Sequence, residues 1–237
     1  MHTLRKPSSA VPSRGQFIIE LILALVLTRI PYLNVPFNWL ESYFHELSHA
    51  LATLMTGGAV SHIELYSNGA GLCFSLGGLP VMIGFAGYFG AALWGGLLFY
   101  LATWQRGIRL SFACLGLGVI LSVLFWGRDL LTILILAILA LLFLLPLKLS
   151  QSPILTLLLR LTGLLVLLNA LASPAVLWGV TGRGDAIMLA QQTWLPTWFW
   201  ILLWLLSCFA MLWLCWRRVD GHAAKSSAID DSHSPGR

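Results

Sequence analysis

The run His45-Glu46-Leu47-Ser48-His49 sets two imidazoles four residues apart with a carboxylate beside the first. On a helix, positions i and i+4 share one face a turn apart, so both rings can reach one metal ion, and Glu46 stands next to it as a candidate general base. A catalytic zinc takes three protein ligands and keeps a fourth position for water, so His45 and His49 need a partner from elsewhere in the chain. A carboxylate suits that place because it lowers the metal's double charge in a low-dielectric setting, which His62 would not do. The chain has only nine acidic residues. Glu41 lies one turn before His45 and Glu46 is better used as the base, which leaves Asp129 and Asp185. Asp129 follows Arg128 at the head of an apolar run, and Asp185 sits in Gly182-Arg183-Gly184-Asp185-Ala186. Each could also be a helix cap, a reading that suits Asp129 more than Asp185, and spacing alone does not choose between them.

The scaffold that must hold these residues is oily. Of 237 residues, 58% are hydrophobic and 10% charged, with 11 tryptophans and 12 phenylalanines, far more apolar than a soluble domain needs. The motif helix is expected over 38–54, with Asn38, Glu41, Ser42, His45, Glu46, Ser48, His49 and Thr53 on a polar arc that lines an internal cavity. Other spans are expected at 17–31, 79–104, 110–125, 130–147, 154–171 and 197–216. Gly57 and Gly58 end the motif helix, and the alternation from His62 to Tyr66, the turn Ser67-Asn68-Gly69-Ala70-Gly71 and a second short run predict a β-hairpin. Gly87, Ala91 and Gly95 recur every fourth residue, as at a close helix–helix contact.

The fold class is thus an all-α polytopic membrane protein with six or seven transmembrane helices and a short β-hairpin after the motif helix. Seven spans would put the two basic termini on opposite sides, and a motif helix that crosses only partly restores six. Residues 1–16 read as a disordered cytoplasmic arm, 17–216 as the membrane domain and 217–237 as a disordered polar tail. Glu20 and Arg29 are expected to snorkel to their nearer interfaces. Asn169, a lone amide in an apolar span, reads as an interhelical hydrogen bond or as an oxyanion donor.

The net charge of +5 comes mostly from bases near the termini and between apolar runs, which suits anionic headgroups and membrane orientation and not nucleic acid. Cys73, Cys114, Cys208 and Cys215 are scattered without a close pair, so neither a disulfide framework nor a cysteine zinc site is expected.

His45-Glu46-Leu47-Ser48-His49-Ala50, the hairpin with Asn68-Gly69-Ala70-Gly71, Gly87-Tyr88-Phe89-Gly90, and Gly184-Asp185-Ala186 with Leu189-Ala190 and Leu195-Pro196 together resemble a bacterial branch of the site-2 proteases, the intramembrane zinc metalloproteases. The likeness runs from about Tyr43 to Trp200. It implies Zn2+ held by His45, His49 and an aspartate matched by Asp185, with Glu46 as general base. It also implies a membrane-protein or peptide substrate cut within the lipid bilayer of a bacterial inner membrane. The chain lacks the Leu-Asp-Gly context in which better-known members carry their aspartate, so Asp129 stays beside Asp185 as an alternative. Different classes of function compatible with the same residues are a non-enzymatic scaffold or transporter with a vestigial site, and a metal-binding protein that does not cleave. The oligomeric state is not written in these features.

Overall fold

The computed structural model describes residues 11–150, 152–176 and 184–232. Among these the chain runs α1 (Arg14–Leu27), α2 (Pro31–Met55), β1 (Ala59–Leu65), β2 (Gly71–Leu76), α3 (Pro80–Ala102), α4 (Ile108–Trp126), α5 (Leu130–Leu144), α6 (Ser152–Val176), α7 (Asp185–Thr193) and α8 (Thr197–Ser232). Five helices are long and apolar enough to cross a membrane, and α1 with α2, bent by 103° at their junction, supplies a sixth if the pair is one broken span. The protein is an all-α polytopic membrane protein with one two-stranded hairpin, and the lower of the two expected counts is the one the described helices can provide. At 1.5 Å per residue α1 reaches about 21 Å, short of a hydrocarbon core of about 30 Å.

The motif helix begins seven residues earlier than expected. Pro31 stands at its first position, where a missing N–H removes nothing from the helix, and Pro36 follows inside it. The added turns carry Asn34, whose amide exchanges two hydrogen bonds with that of Asn169 on α6, at 3.1 and 3.0 Å. At the other end Gly57 adopts φ 84°, and the N–H groups of Gly58 and Gly57 return to the carbonyls of Thr53 and Leu54 at 2.8 and 3.2 Å. This double bond closes the helix and turns the chain into β1.

The helix is covered on both sides. Leu40, Tyr43 and Phe44 join one apolar core with residues of α4 and α5. Phe44 stacks on Trp94 of α3 at 4.9 Å, and the Tyr43 hydroxyl meets Ser122 of α4 at 2.8 Å. Its polar arc faces α3, α6 and α7. The packing stripe of α3 works as expected at Gly95, where a Cβ would stand 2.9 Å from the Leu167 backbone nitrogen of α6.

Glu20 does not snorkel. It is buried on α1 and accepts from the Arg160 guanidinium of α6, with contacts at 2.7, 2.9 and 3.2 Å, both residues being 5–6% exposed. A paired buried charge becomes costly when one partner goes, so Arg160→Met should lower stability by about 3–5 kcal/mol. The double variant Glu20→Met with Arg160→Met should recover most of that in a denaturant melt of the protein in detergent. Equal losses in the single and double variants would show that the pairing is not what matters.

Contacts between chain ends gather the bases on one side. Arg14 at the start of α1 pairs with Asp220 of α8, Arg218 reaches Thr103 at the end of α3, and Arg109 at the start of α4 donates to the carbonyls of Leu147 and Leu149. This end also holds Lys148 and Arg217.

Ser13 caps α1 with a reciprocal bond to Gln16, so helix begins inside 1–16, and α8 carries on through Ser232.

Candidate metal centre

His45 and His49 leave α2 on one face, as their spacing requires, and α7 brings a third group to them. Asp185 is the first residue of α7, entered through Gly184 at φ 137°, a conformation that favours glycine. The N-cap position belongs to Gly184 without a side-chain bond, and the Asp185 carboxylate turns to the imidazoles instead. Its Oδ2 lies 3.1 Å from Nε2 of His45 and 3.2 Å from Nε2 of His49, and the two Nε2 atoms are 2.9 Å apart.

Three facing acceptor atoms at such distances fit a metal. In a tetrahedral zinc site with bonds of about 2.0–2.1 Å, ligand atoms stand about 3.3 Å from one another. The observed triangle is within a few tenths of that. His49 donates from Nδ1 to the Ile83 carbonyl of α3 at 2.6 Å, which leaves its Nε2 lone pair directed at the shared point. Gly87 of α3 makes the room, since a Cβ there would stand 2.5 Å from Nε2 of both histidines. The spacing of Gly87, Ala91 and Gly95 marked this residue for helix packing; its position shows that the same stripe also clears the centre.

Glu46 is buried next to this triangle and lines a cavity of about 370 Å³ with Glu41, Ser42, His45, Tyr88, Ser173 and the hairpin turn Asn68 to Gly71. The hairpin is pinned over it. Trp39 of α2 donates to the Ser67 carbonyl at 3.2 Å, the Leu65 N–H donates to Thr132 of α5 at 2.8 Å, and Gly69 takes φ 85° in the turn. The strands pair antiparallel from Ala59↔Leu76 to Leu65↔Gly71, with an irregularity between Val60 and His62. A Cβ on Gly71 would meet Glu46 Cγ at 2.6 Å, so β2 runs directly over the carboxylate's stem. The Cys73 thiol, pushed up to about 12 by burial and then by Glu46, stays protonated.

The other candidates lie elsewhere or do other work. Asp129 caps α5, its Oδ1 accepting from the Thr132 N–H at 2.8 Å. Among the described residues, the group able to share a metal is His45, His49 and Asp185, and Asp129 is not in it. His62 stacks on Phe74 at 4.3 Å beside Glu64 on the hairpin. Asn169 exchanges hydrogen bonds with Asn34, the interhelical pairing its position suggested. Glu41 accepts from Ser173 at 3.2 Å through Oε2, while its buried Oε1 has no hydrogen-bond partner.

The sequence pattern of the family described as Peptidase M50B-like matches residues 18–215. No curated protein and no solved structure matches the chain.

Proposed function

The chain belongs to the Peptidase M50B-like family, and from that premise we propose that it is an intramembrane zinc endopeptidase acting on membrane-protein or peptide substrates in a bacterial inner membrane. The observation that carries the reading is the convergence of His45, His49 and Asp185 on one point beside a cavity that Glu46 also lines. Zinc held there supplies a Lewis acid for the scissile carbonyl and lowers the pKa of water. Glu46 takes the proton of the attacking water and passes it to the leaving amine nitrogen. Its burial beneath Gly71 keeps that carboxylate close to the reacting atoms and away from bulk water.

A transmembrane substrate has its carbonyls tied up in helical hydrogen bonds and must unwind locally before attack. The hairpin supports a way to hold the unwound form. Gly71 of β2 lies against Glu46, so the edge of β2 away from β1, unpaired among the described strands, runs past the base. An extended substrate laid along that edge by strand addition would carry its peptide bonds past the same carboxylate.

Metal removal tests the reading. Protein purified in lipid should contain one zinc per chain, lose cleavage of a transmembrane peptide on chelation and regain it when zinc is returned. Asp185→Ala should come out of purification without zinc. Asp129→Ala should keep zinc and activity and lose only about 1 kcal/mol of stability from its cap. Zinc bound without cleavage under any condition would favour a metal-binding protein, and no metal at all would favour a scaffold with a vestigial site.

A further inference from the structure

α3 offers a hydrogen-bond donor for the oxyanion of the attacked carbonyl. Tyr88 follows Gly87, the residue whose missing Cβ clears the two imidazoles. Its ring stands edge-on to His45, with centroids 4.3 Å apart and planes at 80°, and packs on Trp204 of α8 at 4.6 Å. Trp204 is itself fully buried and donates from Nε1 to the Phe85 carbonyl at 3.1 Å, so the tyrosine ring is held from both sides. Tyr88 lines the cavity shared by His45, Glu46 and the hairpin turn. Its hydroxyl makes no hydrogen bond among the described residues.

An unpaired O–H on a fixed ring, in a cavity bounded by the candidate base and a metal ligand, has the properties of a preorganised donor. We propose that Tyr88 is a further catalytic residue, whose hydroxyl donates a hydrogen bond to the substrate carbonyl oxygen as it becomes the oxyanion of the tetrahedral intermediate. No proton is transferred: the hydroxyl keeps its hydrogen while the negative charge develops, and the proton traffic stays with Glu46. The donor is a neutral group beside three carboxylates, Glu41, Glu46 and Asp185, so it stabilises the oxyanion without adding a charge that those carboxylates would bind. This inference rests on the protease reading.

Tyr88→Phe removes one oxygen and leaves the ring on His45 and Trp204. The test uses the full chain in lipid nanodiscs and a quenched fluorescent transmembrane peptide that the wild type cleaves. Tyr88→Phe should keep full zinc content and a KM within about twofold of wild type, while kcat falls about 10²–10³-fold. A second readout does not need turnover. A phosphonamidate version of the peptide, which carries a tetrahedral oxyanion, should bind Tyr88→Phe more weakly by a similar factor, whereas the uncleaved amide peptide, measured on the Glu46→Gln background, should bind both forms alike. Unchanged kcat with unchanged phosphonamidate affinity overturns the proposal while leaving the protease reading intact. Loss of zinc in Tyr88→Phe also overturns it, since the ring would then serve to place His45. A wild type that cleaves no peptide removes the protease reading and this proposal with it.

Discussion

Glu46→Gln should lower cleavage by about 10²–10⁴-fold and leave the zinc in place. Gln has the shape of Glu, so the close contact with Gly71 of β2 survives. It cannot take a proton from water. Glu46 is not among the three groups whose ligand atoms converge, so the zinc stoichiometry of the purified variant should match wild type. The loss should appear in kcat, with KM little changed, because the step removed is proton transfer and not the seating of an extended chain along β2. Cleavage at the wild-type rate would show that Glu46 is not the base and would sink the protease mechanism. Loss of zinc together with activity would instead make Glu46 a support of the metal site. Comparison with Asp185→Ala, expected to lose both, separates the two roles in one assay.

The parts of this protein legible in the sequence are those set by local spacing and composition. The apolar runs announce the spans, the i and i+4 histidines announce a shared face, and Gly57 and Gly69 announce a helix stop and a turn because their backbone conformations suit few other residues. What joins elements far apart in the chain was not legible. Glu20 and Arg160 are 140 residues apart, and nothing near either one marks its partner. Asn34 was hidden for another reason. Two prolines within six residues look like a loop, yet Pro31 sits where a helix tolerates it, and the helix simply starts there. Asp185 and Asp129 have the same local signature, an acid at the head of a helix. Only the approach of α7 to α2 and α3 separates a carboxylate turned to two imidazoles from one that bonds its own helix. Tyr88 falls in an apolar run where an aromatic ring is ordinary, and the missing partner of its hydroxyl is visible only in three dimensions.

Gly87→Ala should abolish zinc binding and, with it, activity. The added Cβ would lie 2.5 Å from Nε2 of both His45 and His49, closer than such an atom can come, so at least one imidazole must leave its place or α3 must move. Movement of α3 is opposed along its length. At Gly84 a Cβ would already meet Met188 and Leu189 of α7, at Gly90 it would meet Ser48, and at Gly95 it would meet the backbone of α6. His49 is tethered to α3 by its bond to the Ile83 carbonyl, so turning its ring also breaks that bond. The gain in helix propensity from Gly to Ala, up to about 1 kcal/mol, acts in the opposite direction on folding. Overpacking costs about 1–3 kcal/mol, so the fold should survive while the centre does not. The expected result is a protein with near-normal helicity and melting behaviour that carries less than about a tenth of the wild-type zinc and is not rescued by excess metal. Gly118→Ala on α4, where a Cβ meets nothing within 4 Å, is the control and should keep its zinc. Full zinc in Gly87→Ala would mean that the imidazoles and α3 do not approach as closely as described, and would reopen the choice of the third ligand.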